Sequence, residues 1–305
     1  MYHISLRAVF ATMLVCGGGG VAGAETPSRI TILYDSFGKN PALTIGWGYA
    51  VLVEYGDKRI LFDTGGNPDI LAHNVSAKNV DLTRLDFVVM SHRHGDHMGG
   101  LTHLLKVNPH VKIYAPKERS GVYGDDQPSS TWYRKDTVLP TEQRYYNGAP
   151  PETIHMGEAW PGANFQLIDR NTEIAPGMFL IALVSDIPGT LELRELSLAF
   201  RAPDGLILLV GCSHPGVDRI LQAARAIDPH IHVIAGGLHL LVKSDADIEK
   251  LVSSLHDTYK VEYIAPGHCT GEPAFAALKR TFGDHFLYAG LGTTLTLAAT
   301  PRALP

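Results

Sequence analysis

The chain has 305 residues, 45% apolar and 19% charged, with a formal net charge of −5 and 15 histidines. This composition excludes disordered, collagen-like and coiled-coil proteins, and the negative balance gives no basic footprint for nucleic acid. Beyond the amino terminus, no apolar run approaches the ~18 residues that a membrane span requires.

Arg7, an apolar stretch over 8–16 and the small residues Ala22-Gly23-Ala24 have the layout of a secretory signal peptide. They predict cleavage after Ala24, a signal over 1–24, a single domain over 25–305 and a periplasmic or secreted product. Cys16 would leave with the signal. Cys212 and Cys269 would remain, free to pair in an oxidising compartment or to act as separate thiols.

Periodicity predicts strands at 30–35, 50–55 and 59–63, with Tyr55-Gly56-Asp57-Lys58 as the turn joining the last two. A helix follows over 68–77, then a short apolar strand over 87–90. A further helix is expected from Gly99 through Leu104, and a strand over 111–115. Between 117 and 176 no period holds. The stretch is rich in Pro, Gly and aromatics (Tyr123, Trp132, Tyr133, Tyr145, Tyr146, Trp160), which leaves two readings: a surface excursion with its own apolar cluster, or a cap over a substrate pocket.

Regularity returns with strands at 178–184, 197–200 and 206–210, a helix over 217–227 and a strand over 232–235. A helix over 245–259 opens with Ser244-x-x-Asp247, a capping pattern. A strand over 263–265, a helix over 272–282 with Pro273 in its first turn, and strands at 287–289 and 293–297 complete the chain. The two halves predict an α/β protein with two packed sheets and helices outside, not a doubly wound sheet.

The chemistry concentrates in Ser91-His92-Arg93-His94-Gly95-Asp96-His97, directly after an apolar strand. His92 and His94 are two apart, so an extended backbone points both to one side. Asp96 and His97 are expected in the turn before the next helix. Four N and O ligands in six residues are too many for one tetrahedral zinc with an open position, and suit two neighbouring metals. Two ions about 3.5–4 Å apart, bridged by water, generate hydroxide near neutral pH and clamp the attacking and leaving oxygens. Strand ends also carry Gly211-Cys212-Ser213-His214, Gly236-Gly237-Leu238-His239 and Gly267-His268-Cys269. The other histidines, including His230, His232, His256 and His285, carry no motif and are assigned to surface or packing.

The H-x-H-x-D-H loop resembles the signature of the metallo-β-lactamase fold superfamily, whose scaffold is a four-layer αββα sandwich. Phe62-Asp63-Thr64-Gly65 is similar to the family's early Asp-x-Gly, which orients the metal loop, and Pro266-Gly267-His268 to its late histidine. The resemblance implies that His92, His94 and a later ligand hold one metal, while Asp96, His97 and His268 hold the other. Where most members place a bridging Asp, this chain has Cys212. His214 is then the third ligand of the first metal, and Cys212 either a ligand or a small core residue. Asp186 is a weaker stand-in for the bridge. A thiolate at 212 favours zinc or iron over manganese or magnesium.

The motifs together resemble one subgroup, the relatives of 7,8-dihydropterin-6-methyl-4-(β-D-ribofuranosyl)aminobenzene-5′-phosphate synthase. The resulting expectation is an exported hydrolase that holds two divalent ions and acts on a small-molecule ester, lactone, amide or phosphoester. Asp96 and His239 are its catalytic candidates, with His239 binding substrate, donating a proton or replacing a missing ligand. The alternatives are the condensing transferase of the subgroup's name and an iron-dependent redox enzyme.

Overall fold

The computed structural model describes residues 28–117, 127–154, 160, 162–297 and 302–304. The signal peptide predicted over 1–24 and Tyr123 lie outside the described residues. Two large sheets face each other. The first runs, edge to edge, through Arg302–Leu304, Thr294–Thr296, Arg29–Tyr34, Ala50–Tyr55, Lys58–Phe62, Phe87–Val89, Ile113–Pro116 and Phe165–Ile168. The second runs through Tyr263–Pro266, Ile231–Gly236, Gly205–Val210, Arg194–Ala202, Met178–Val184 and Thr172–Ala175.

Alternation along the strands sorts their side chains between layers. Ile30, Ile32, Val51, Val53, Ile60 and Phe62 from the first sheet meet Leu196, Leu198, Phe200, Ile207, Leu209 and Val233 from the second. Their neighbours in sequence face outward and are covered by helices. Leu33, Leu52, Leu61 and Val88 pack under Pro68–Ala77 and Leu101–Val107. Leu206, Leu208, Ile234 and Ile264 pack under Val217–Arg225, Asp245–Ser253 and Glu272–Phe282. Strands apolar on both faces therefore build a four-layer αββα stack, in which each fully buried Leu, Ile or Phe contributes roughly 1.5–3 kcal/mol.

Helix ends follow the sequence closely where caps exist. Asn67 accepts from the N–H groups of Asp69 and Ile70, and Ser244 Oγ accepts from Asp247 N–H. The helix expected over 245–259 stays α-helical only through Ser253 and finishes in a π-turn, Ser254–Thr258. The helix expected from Gly99 begins earlier, as Gly95–Met98 followed by Leu101–Val107, so Asp96 and His97 lie in a helical turn and not ahead of it.

Three further readings change. The stretch 117–176 is not irregular throughout, because Phe165–Ile168 and Thr172–Ala175 are edge strands of the two sheets. Both are half exposed, so they carry no apolar alternation to read. The strand expected at 197–200 extends over Arg194–Ala202. Residues 287–289 form no strand; Leu287 and Ala289 are apolar because they fill the space between the sheets.

Strand direction decides where chemistry can gather. Lys58–Phe62 and Phe87–Val89 are parallel neighbours, as are Gly205–Val210, Ile231–Gly236 and Tyr263–Pro266. Asp63, the 91–97 loop, Cys212–His214, His239 and His268 all follow the carboxyl ends of these strands. In open α/β sheets that edge is where ligands bind.

Candidate metal centre

The donor atoms fall into two facing sets. His92 Nε2 lies 3.1 Å from His94 Nδ1 and 3.2 Å from His214 Nε2. His268 Nε2 lies 3.1 Å from His97 Nε2 and 3.2 Å from Asp96 Oδ2, which is 3.7 Å from His97 Nε2. Donors about a tetrahedral ion at 2.0–2.1 Å stand about 3.3 Å apart. Each set therefore already has the spacing of a coordination shell. Asp96 Oδ1 is buried with no hydrogen-bond partner among the described residues, the kind of acceptor an ion or water satisfies.

Outer partners fix which ring nitrogens face inward. Asp63 accepts from Ser91 N–H through Oδ1 (2.7 Å) and from Ser91 Oγ through Oδ2 (2.7 Å). The same Oδ2 accepts from His97 Nδ1 at 2.6 Å, and Ser91 Oγ accepts from His92 Nδ1 at 2.8 Å. With Nδ1 as the donor in both rings, the Nε2 atoms of His92 and His97 point into the centre. The loop is held from behind by glycines. A Cβ on Gly99 would lie 2.1 Å from Gly66 O, and one on Gly100 2.1 Å from Thr64 O. Thr64 Oγ1 then donates to the His97 carbonyl at 2.9 Å.

Burial drives His92 and His214 well below the usual imidazole range and brings His94 to about 4, leaving all three neutral at pH 7. His97 differs. Burial opposes its charge, but Asp96 and Asp63 raise it to about 9, so ion binding there displaces a proton.

Two positioning carboxylates were not anticipated. Glu195, 2% exposed, accepts from Cys212 N–H and Ser213 N–H through Oε1 (3.0 and 2.7 Å) and from His214 N–H through Oε2 (2.7 Å). It clamps the whole 212–214 loop, including Ser213 at φ +64. Asp35, fully buried, accepts from Ser36 N–H at 2.6 Å and from His268 N–H at 3.0 Å. Burial pushes both carboxyls up to about 7, against the N–H groups that face them. Their only sequence signal is a lone acid at a strand terminus, Asp35 just after Arg29–Tyr34 and Glu195 at the start of Arg194–Ala202.

Cys212, 3% exposed, is not isolated in apolar core. Its Sγ lies 3.2 Å from His97 Nε2 and groups with His92 and His97, between the two donor sets. Cys212 and Cys269 are both free thiols. Asp186 does not take the bridging place: it is 73% exposed and pairs with Arg219 at 2.9 Å. The His239 ring lies 4.2 Å, centroid to centroid, from that of His214. Both line a cleft of about 430 Å³ with Ser213, Leu238, Ile187 and Lys243.

The aromatic stretch divides. Tyr133 stacks on Trp47 with centroids 5.5 Å apart, Tyr145 meets Trp47 edge-on at 4.8 Å, and Trp47 covers the His268 ring at 5.3 Å. Tyr145 Oη accepts from Gly271 N–H at 2.7 Å. Trp160 instead joins the outer helix layer and donates to Thr102 Oγ1 at 2.9 Å. The described part of the segment thus walls the His268 side of the centre.

Comparison with known proteins identifies the fold. Residues 44–268 match the model of the metallo-β-lactamase superfamily. A curated relative is 7,8-dihydropterin-6-methyl-4-(β-D-ribofuranosyl)-aminobenzene-5′-phosphate synthase of Methanocaldococcus jannaschii, 29% identical over 85% of this chain and 94% of that protein. Hydroxyacylglutathione hydrolase of Aeromonas salmonicida is 31% identical over 28% of this chain and 34% of its own length. Among solved structures, Tm1679, described as a metal-dependent hydrolase of the β-lactamase superfamily, superposes with a TM-score of 0.66 at 29% identity, covering 89% of this chain and 99% of that one. YhfI of Bacillus subtilis shares the fold at 13% identity, with a TM-score of 0.52 and coverage of 88% and 99%. With its sandwich, its paired donor sets and a match spanning most of its length, the chain belongs to the metallo-β-lactamase superfamily.

Proposed function

We propose that this chain is an exported hydrolase that uses two divalent ions, in keeping with zinc, on an ester, lactone, amide or phosphoester. The observation that carries this reading is the pair of donor sets, His92/His94/His214 and Asp96/His97/His268, each spaced for an ion, the first of them reaching a cleft through His214. When bound, the ions supply Lewis acidity and a nucleophile at neutral pH.

The chain's own residues do the rest. Asp96 Oδ1, without a partner, is the acceptor for a proton leaving the attacking water. The His239 ring, on the cleft wall beside His214, donates to the oxyanion or leaving group. Lys243 offers a cation at the cleft, while Ile187, Leu238 and Leu240 give it apolar walls for the non-reacting part of a substrate. Export rests on Arg7, the apolar run and Ala22-Gly23-Ala24.

The test is turnover by zinc-, iron- and manganese-loaded protein on a panel of esters, lactones and phosphodiesters, compared with His94→Ala and His268→Ala. Loss of several orders of magnitude with folding intact is expected. Undiminished turnover in both variants would overturn the assignment.

One observation favours a second reading, a condensing transferase: the synthase relative is matched over 94% of its length. Incubation with a dihydropterin pyrophosphate and the aminobenzene ribotide separates the two, since coupled product appears only in the second.

A further inference from the structure

Beside the two histidine-rich sets lies a group of a different chemical kind. Cys212 Sγ and Cys269 Sγ are 3.2 Å apart. Together with a ring nitrogen of His239 they form a triad whose donor atoms all lie within 4.8 Å of one another. Cys269 is fully buried, Cys212 nearly so, and the His239 ring is within hydrogen-bonding reach of the Cys269 thiol.

The backbone is built to bring these groups together. Cys212, His239 and Cys269 follow three adjacent parallel strands, Gly205–Val210, Ile231–Gly236 and Tyr263–Pro266. Only glycine allows the loops to close: a Cβ on Gly237 would lie 2.4 Å from Gly211 O and 2.7 Å from Cys269 Sγ. His239 and His268 hold left-handed backbones, φ +51 and +45, and Glu195 fixes the Cys212 amide. Such conformations are strained for a residue with a side chain and persist where the surroundings over-determine them.

We propose that Cys212, Cys269 and His239 form a third, thiophilic cation site, adjoining the dinuclear pair and taking a d10 ion such as zinc, cadmium or copper(I). Two thiolates and one imidazole are a soft donor set that leaves one coordination position open. Thiolates about a tetrahedral zinc stand about 3.8 Å apart, so the two sulfurs need to part by about half an ångström. Binding releases one proton from each thiol and consumes no oxidant. Cys212, also beside His97 Nε2, faces both this site and the pair. Coordination through one His239 nitrogen leaves the other ring N–H for the donor role proposed above. The site itself does not depend on which reaction the pair performs.

The experiment uses the full chain, reduced with a non-thiol reductant, stripped by chelator and titrated with cadmium. Expected are one more equivalent than the histidine sets take and a thiolate-to-cadmium charge-transfer absorption. In Cys269→Ser that equivalent is lost and the absorption falls by about half, since one of two thiolates is gone. His239→Ala retains both thiols and guards against misfolding of the serine variant; it weakens the extra equivalent by about tenfold or more. Absorption unchanged in Cys269→Ser would mean that Cys212 alone serves the second ion, and overturns the proposal. Absence of the absorption in the reduced wild type does so as well. His94→Ala and His268→Ala leave the Cys269-dependent half of the band in place, so failure of the hydrolase reading is distinguishable from failure of this one.

Discussion

The second sheet has histidines at both ends of its parallel strands, and the ends behave differently. At the amino ends, His232 Nδ1 lies 2.8 Å and His230 Nε2 3.2 Å from one oxygen of Glu262. His285 Nδ1 donates to the Glu262 carbonyl at 2.8 Å and its ring stacks on Tyr263 at 4.5 Å. These nitrogens face oxygen partners, and the His230 side chain is half exposed. At the carboxyl ends, the Nε2 atoms of His214 and His268 face other imidazole nitrogens inside the protein. Histidine density is similar at the two ends. What separates them is burial of nitrogen against nitrogen, which costs free energy unless something fills the space between.

Loss of a direct donor breaks that contrast most severely. His94→Ala and His268→Ala should each lose one bound ion and reduce turnover by several orders of magnitude, read by metal analysis and by assay of the substrate found. Next comes Asp63→Asn, which keeps the volume but presents an amide to His97 Nδ1. It should weaken ion binding about 10–100-fold, measured by competition with a chelating dye.

A smaller effect is expected from pH on chelator-treated protein. His94 titrates near 4 in the folded chain, and burial holds His92 and His214 lower than free imidazole. All three protonate near 6.5 once unfolded. Their contribution is present above about 6.5 and is lost as the pH falls towards 4. The melting temperature should drop across that window, and a flat profile would contradict the neutral assignment. Least affected should be His230→Ala and His256→Ala at the other end. Stability should change by no more than about 0.5 kcal/mol, with bound metal unaltered.

Much of the centre was legible because its signals are local. Asp63, the 91–97 loop, His214 and His268 each stand directly after an apolar strand, so residue type and position coincide. The helix start expected near Gly99 comes one turn too late, which leaves Asp96 and His97 ahead of the helix, because the adjacent glycines Gly99 and Gly100 look like a boundary. They serve instead to let the loop approach Thr64 and Gly66. Glu195 was invisible for a different reason. Its partners lie 17 to 19 residues away, across the hairpin to Gly205–Val210, and nothing near it in the chain marks an acceptor of three N–H groups. Asp35 acts across 233 residues, on His268.

The sequence by itself determined the strands, because alternation needs only neighbours, and the identity of most donors, because H-x-H-x-D-H is compact. It also determined the family resemblance. Tertiary structure decided which candidate donors stand close enough to share an ion, since that depends on which strand ends lie side by side in the two sheets. It decided that Cys212 meets Cys269, 57 residues on, through the parallel order of three strands and the missing side chain at Gly237. It also decided that Asp186 points to solvent. Contacts between loops that follow separate strands are set by sheet order and packing, and no local pattern records them.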